Sequence, residues 1–320
     1  MITLAQVHHA ADCLRSVVIR TPIIASDELD HSLGVKVACK AENFQRTNAF
    51  KFRGAYYHVV GLHPKSRQRG VVGASSGNHA QALALSAQIL GMKAAVLVPS
   101  DLPTFKLDAI RRYSAEVFFY NRLEDDRDYM VAEIADRCGF AVVPSSDSAS
   151  VICGNGTVAL EIMEDMPDFG PLLVPVGGGG LAAGCATVVK AISPKTKVIG
   201  VEPDTGNDTN LSLRKGARVV IPAPKTIADG LRHCTPAPVA FEINQRLLDD
   251  VLTVGDDAIC AAMALAWRHL RVVLEPSGAC ALAALLAHKI PCHSGQVAVI
   301  LSGGNIEEAL FQSLIGTRTS

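Results

Sequence analysis

The chain has 320 residues, enough for one large domain or two lobes. It is 49% hydrophobic and 19% charged, with 26 Gly and 16 Pro, which excludes a disordered tail, a coiled coil and a collagen. Thirty basic against 31 acidic residues leave a net charge of −1, and aromatics are 5%, so neither a nucleic-acid partner nor a base-stacking surface is expected.

The N-terminus has no basic region followed by an apolar one, so no export signal is read there. Thr3 and Gln6 instead form a capping box that predicts a helix running to residue 18. Lys51 follows a turn-like Thr47-Asn48 and sits between Phe50 and Phe52. A lysine desolvated by aromatic rings has a depressed pKa and is a candidate nucleophile; a snorkelling surface lysine explains the same residues.

From residue 71 onward short apolar runs alternate with amphipathic segments. Strands are predicted at 71–74, 94–98, 116–120, 141–144, 172–176, 197–202, 250–254 and 296–301, and helices at 78–90, 104–113, 126–138, 157–166 and 181–192. This alternation predicts an α/β fold with a mostly parallel sheet flanked by helices and ligands at the carboxyl ends of strands. The longest uncharged stretch, 169–189, contains Pro171, Pro175 and four consecutive glycines, so it reads as strand, turn and helix rather than a membrane span.

Three of the strand-to-helix junctions carry chemistry. Ser75-Ser76-Gly77-Asn78-His79 offers hydroxyls, an amide and free backbone N–H groups to an anion, although taken alone an ordinary helix cap is the favoured account. Gly177-Gly178-Gly179-Gly180 lets the backbone wrap a phosphate without Cβ obstruction, and no Lys-Ser/Thr follows to make a Walker loop. Ser302-Gly303-Gly304-Asn305 places a hydroxyl at a strand end. A competing interpretation is a dinucleotide-binding protein, because Gly177 to Ala182 satisfies G-x-G-x-x-G/A and Glu202 ends the next strand. It leaves Lys51 unexplained. The nine cysteines show no CxxC and no zinc spacing, which suits buried thiols in a reducing cytoplasm.

Taken together, Asn48-Ala49-Phe50-Lys51-Phe52-Arg53-Gly54-Ala55, Ser75 to His79, the tetraglycine, Glu275-Pro276-Ser277-Gly278-Ala279 and Ser302 to Asn305 resemble fold-type II pyridoxal-phosphate enzymes. The nearer resemblance is to the threonine/serine dehydratase and serine racemase family, over nearly the whole chain. Asn48 departs from the glycine that the family usually carries there, and Asn tolerates a left-handed backbone better than other side chains.

The resemblance implies a two-lobed, tryptophan synthase β-like fold. Residues 1–69 and 148–320 would form a large cofactor domain, and 70–147 a small mobile one. It implies pyridoxal 5'-phosphate held covalently by Lys51, Phe50 beside its ring, Asn78 on its 3-hydroxyl, Gly177, Gly178, Gly179 and Gly180 on its phosphate, and Ser302 at its ring nitrogen. Ser75, Ser76, Gly77, Asn78 and His79 would grip the substrate carboxylate, with Lys51 and Ser76 as catalytic groups. Elimination of water from an L-threonine- or L-serine-type substrate would give a 2-oxo acid and ammonia. Serine racemisation, or dehydration of a hydroxyaspartate (with Arg127 answering the second carboxylate) or a phenylserine, are the alternatives. A Mg²⁺ site, tolerant of Ca²⁺ or Mn²⁺, would use Glu202, the Gly206 carbonyl and Asp208. A cytoplasmic homodimer is expected, with a small amino-acid substrate and no nucleic-acid or membrane partner.

Overall fold

The computed structural model describes residues 1–75, 77–121, 124–287, 290 and 295–316. Ten strands build two sheets: β1 (Ile23–Ile24), β2 (Val37–Ala41), β3 (Val71–Ala74), β4 (Ala94–Pro99), β5 (Glu116–Tyr120), β6 (Ala141–Val142), β7 (Leu172–Pro175), β8 (Val198–Pro203), β9 (Asp250–Val254) and β10 (Val297–Leu301). The larger sheet runs β1-β2-β10-β7-β8-β9 and the smaller β5-β4-β3-β6. All neighbours are parallel except β1 on β2. The smaller sheet comes entirely from chain lying between β2 and β7.

Burial on both faces explains why these strands are apolar without alternation. In β10, Val297, Val299 and Leu301 pack into one core with the helix Pro276–Leu286, while Ala298 and Ile300 pack into another with the helix Gly180–Ile192. The smaller sheet repeats this design. Val71 and Val96 face the helix Asn78–Ile89, whereas Val72, Ala95 and Leu97 face the helix Arg127–Cys138.

The Thr3/Gln6 capping box forms, but its helix, Leu4–Leu14, is shorter than its apolar pattern predicts. The helix expected at 157–166 spans Ala149–Asp165, through Gly154 and Gly156. Those glycines serve close packing rather than chain reversal. A Cβ on Gly154 would stand 2.6 Å from the Arg53 carbonyl oxygen, and one on Gly156 3.0 Å from that of Gly184. Three helices, Lys51–Val60, Ala149–Asp165 and Gly180–Ile192, thereby meet almost backbone to backbone. The 169–189 stretch folds as β7, the glycine turn and a helix, and among the described residues no helix is long and apolar enough to cross a membrane.

Candidate active site

The carboxyl ends of β3, β7 and β10 open onto one cavity of about 820 Å³ lined from both sheets. Thr47 (φ 58°) and Asn48 (φ 53°) both adopt the left-handed backbone, so Asn48 makes the turn that glycine would otherwise make. The turn delivers Phe50 and Lys51 to the start of the helix Lys51–Val60, where the Phe50 amide donates to the Ser302 carbonyl at 3.1 Å. An Ala49–Gly303 bridge fastens the same segment to the end of β10.

Lys51 Nζ donates to the Ser145 carbonyl at 2.8 Å and lies 5.2 Å from the centre of the Phe50 ring. Burial pushes its amine down to about 8. Beneath it, the fully buried Arg53 pairs with Glu42 at 2.8 Å and Glu161 at 2.6 Å, and Lys40 pairs with Glu161 at 2.6 Å. This charged plug anchors the lysine-bearing helix from below.

Asn78 Nδ2 donates to Glu275 Oε1 at 2.6 Å, and Asn305 Nδ2 donates to Asn78 Oδ1 at 2.7 Å. One Asn78 amide hydrogen therefore remains for a ligand. Burial, reinforced by Asp229, raises the Glu275 carboxyl to about 8. His79 Nε2 donates to the Val143 carbonyl at 3.1 Å, and burial pushes the ring down to about 3, so it is neutral.

The tetraglycine is packed as tightly as a cradle requires. A Cβ on Gly178 would stand 2.4 Å from Ser146 Oγ and one on Gly180 2.7 Å from the Ser146 carbonyl oxygen, while Gly179 has φ +89°. Gly179 caps the helix Gly180–Ile192, whose free first-turn N–H groups give an anion site. Ser302 is buried at the end of β10 and lines the same cavity.

Lys51, Phe50, Ser75, Gly77, Asn78, His79, Gly177 to Gly180 and Ser302 thus share one cavity, and Ser76 lies outside the described residues. Ser145, Ser146, His233 and Asp229 also line it. Ser145, Ser146 and His233 sit in loops without a glycine or motif signal of their own, and only the fold brings them in, whereas Asp229 opens the short helical turn Asp229–Leu231.

The putting-together of amine, phosphate cradle and neutral hydroxyl suits pyridoxal phosphate, and comparison with known proteins agrees. The model of the family described as "Pyridoxal-phosphate dependent enzyme" matches residues 14–303. The chain belongs to this family. It is 40% identical to the L-threo-3-hydroxyaspartate ammonia-lyase of Saccharomyces cerevisiae, over 98% of this chain and 96% of that protein. It is 38% identical to a serine racemase of Schizosaccharomyces pombe, over 95% and 94%. Maize serine racemase superposes with a TM-score of 0.93 at 34% identity, covering 99% of this chain and 98% of the other. The fold is accordingly that of fold-type II pyridoxal-phosphate enzymes, as the sequence motifs imply.

Glu202 and Asp208 lie apart from the cavity. Glu202 is fully buried, and its two carboxylate oxygens accept from the backbone of Thr209 at 3.0 Å and Asn210 at 2.9 Å. This rules it out as the ribose-binding acid of a dinucleotide site, which must face the ligand. Asp208 is fully buried beside it with both carboxylate oxygens unpartnered. Burial raises Glu202 to about 8, helped by Asp208, and Asp208 to about 7. The two orphaned oxygens of Asp208, beside a second buried carboxyl, are a donor set that fits a hard cation. No cluster of three His, Cys, Asp or Glu gathers among the described residues, so any ion would also need carbonyl and water ligands.

Proposed function

We propose that this chain removes water from a β-hydroxy amino acid of the L-threonine or L-serine type, in a pyridoxal-phosphate-dependent β-elimination that yields a 2-oxo acid and ammonia. The observation that carries this is the Lys51 amine standing in one cavity with the tetraglycine helix start, Asn78 and Ser302. When bound, pyridoxal phosphate supplies an electron sink for the negative charge that develops at the substrate Cα.

The chain's own residues do the rest. Lys51 would hold the cofactor and take the Cα proton, a task suited to an amine brought down towards neutrality. The amides of Gly177 to Gly180 hold the phosphate at the positive end of the following helix. Phe50 would flank the cofactor ring, Asn78 would offer its remaining amide hydrogen to the 3-hydroxyl, and Ser302 would present a neutral hydroxyl to the ring nitrogen. Ser75, Ser76, Gly77, Asn78 and His79 bind the α-carboxylate at the start of the helix Asn78–Ile89. His79, being neutral, contributes its backbone amide rather than a charge.

Residues 70–147 act as a small mobile domain that closes on 1–69 and 148–320 to exclude water. The Lys106–Asp229 ion pair, which joins the smaller-sheet side of the cavity to the larger, supports this division. Glu202, the Gly206 carbonyl and Asp208 hold Mg²⁺, with Ca²⁺ or Mn²⁺ as substitutes, and steady the loop that leads to Asp229. Homodimerisation and a cytoplasmic location complete the proposal; the buried thiols Cys39, Cys153, Cys185 and Cys280 suit a reducing compartment.

Serine racemisation would use the same proton removal, with Ser76 acting opposite Lys51; the activity in the name of the fission-yeast relative favours testing it. The deciding experiment incubates purified holoenzyme with L-threonine, L-serine, 3-hydroxyaspartate and phenylserine, measuring 2-oxo acid, ammonia and enantiomer. Formation of 2-oxo acid supports the dehydratase, whereas enantiomer without 2-oxo acid makes the protein a racemase. Neither product from any substrate overturns the proposal.

A further inference from the structure

Four consecutive glycines have the freest backbone a chain can carry, so an anion site built from them needs an outside hold. The helix Pro238–Leu247 supplies one from behind the turn, and none of its residues lines the cavity. At its start the Ala237 amide donates to the Gly178 carbonyl at 3.3 Å, and further along Asn244 Nδ2 donates to the Gly179 carbonyl at 3.2 Å. The Gly179 carbonyl also accepts from the Ala183 amide at 2.9 Å, inside the helix Gly180–Ile192. These peptides are trans, so each C=O and the N–H that follows it point in opposite directions. Carbonyls drawn back towards Ala237 and Asn244 therefore turn the Gly179 and Gly180 N–H groups towards the cavity that both glycines line.

Asn244 breaks the pattern of its own helix. It is fully buried and lies four residues after Ala240, on the face that packs Ala240 and Ile243 into the core around β7. Its Oδ1 is buried without a hydrogen-bond partner, a loss that a leucine at this position would not carry. Turning the amide over gives no relief, because its neighbour is a carbonyl and only the NH2 end can face one. Gly179 is shaped to the same contact. It is the one glycine of the four with a left-handed backbone, at φ +89°, and a Cβ on it would stand 2.7 Å from Asn244 Nδ2. A buried amide at an apolar position, satisfied at one end only, serves that bond rather than the stability of the core.

We infer that Asn244 is a positioning residue for the cofactor phosphate: by holding the Gly179 carbonyl from behind, it keeps the Gly179 and Gly180 amides aimed at the anion before a ligand arrives. This rests on the pyridoxal-phosphate reading proposed above. Amides fixed in advance spare the ligand the ordering cost of a free glycine loop. The hold acts on the phosphate cradle alone, so it bears on the phosphate and not on the aldehyde that Lys51 takes up.

The test titrates apoprotein with pyridoxal phosphate and with pyridoxal, which has the same ring and aldehyde but no phosphate, in the unaltered chain, Asn244→Leu and Asn244→Ala. The ratio of the two dissociation constants reads the phosphate's share of binding. It is expected to fall about tenfold in both variants, the scale of one hydrogen bond, while pyridoxal affinity stays within about threefold. The phosphorus NMR resonance of the bound cofactor should move as well. Urea unfolding of apoprotein should give Asn244→Leu a midpoint no lower than that of the unaltered chain, which a residue kept for stability would not allow. Should Asn244→Leu fail to fold, Asn244→Ala, which adds no bulk, still reads the ratio. A ratio unmoved in a folded variant overturns the inference while leaving the cofactor in place. So does an equal loss of affinity for both ligands, which would make Asn244 a general prop of the pocket. An unaltered apoprotein that binds pyridoxal as tightly as its phosphate instead removes the pyridoxal-phosphate reading itself.

Discussion

Lys51 is one lysine among many, and its setting distinguishes it. The Ser145 carbonyl holds the amine in place, Phe50 shields it and burial lowers its pKa to about 8. Because only the unprotonated amine is nucleophilic, the rate at which apoprotein takes up pyridoxal phosphate should rise with pH up to about 8 and then level off. Stopped-flow absorbance of the visible band follows this directly, and a rate flat from pH 6 to 9 would assign the uptake to another step. Lys51→Ala should show no visible band that borohydride bleaches; a reducible band in that variant would place the cofactor elsewhere. Gly180 carries a second prediction. Its missing Cβ leaves room for the Ser146 carbonyl, next to the carbonyl that holds Lys51. Gly180→Ala should cost about 1–3 kcal/mol of stability through overpacking and weaken cofactor binding at least tenfold, as read by urea unfolding and apoprotein titration.

At the scale of elements, the site depends on how the helix Lys51–Val60 is seated. Burial alone would raise the Glu42 carboxyl, but the Arg53 guanidinium, with Thr21 and Lys40, outweighs it and leaves Glu42 below its ordinary range. The guanidinium bonds to both Glu42 and Glu161, so its removal leaves the buried Glu42 with the Thr21 hydroxyl and Glu161 with Lys40 alone. Arg53→Met should therefore destabilise the protein by about 3–5 kcal/mol. Urea unfolding at pH 7 measures this, and a loss below 1 kcal/mol would show that the plug is replaceable by packing. The same helix shows why the secondary structure was only partly readable. Its sequence is interrupted by Gly54, and its position is set by backbone contact with the helix Ala149–Asp165. Strands buried on both faces, by contrast, announce themselves as apolar runs.

For the whole molecule, the carboxyl pair Glu202 and Asp208 links pH to stability. Both folded-state values, about 8 and about 7, lie above the ordinary carboxyl range, so the folded protein binds more protons than the unfolded chain between those limits. Their contribution to the metal-free protein is therefore complete at acid pH and is lost as pH rises through about 7 to 8. A divalent cation takes the place of those protons and must gain as they leave. The rise in melting temperature on adding Mg²⁺ after EDTA treatment should accordingly be larger at pH 8 than at pH 6, and abolished in Asp208→Ala. No rise at either pH would remove the metal. The proposed closure of residues 70–147 can be tested by scattering: a non-reacting carboxylate substrate analogue should reduce the radius of gyration, and Asp229→Asn, which discharges the pair with Lys106, should weaken that response.

The sequence by itself determined the parallel α/β class and, through five motifs that resemble one enzyme family, pointed to Lys51, the tetraglycine and the Ser75 to His79 loop as the proposed site. Each is written in local chemistry: apolar runs between small-residue turns, four glycines where one would make a turn, and a lysine between phenylalanines. It also foretold that Asn48 could keep a left-handed turn, which its φ of 53° bears out. Tertiary structure alone decided how residues far apart in the chain meet. Glu275 reaches Asn78, Ser145 holds Lys51, Arg53 joins Glu42 to Glu161, and His233 lies on the tetraglycine. None of these partners has a spacing that marks it, because each lies on a different element and only the packing of those elements brings them together. Only folding, by burying them together, gives them the shifted protonation and unpaired atoms from which the chemistry is read.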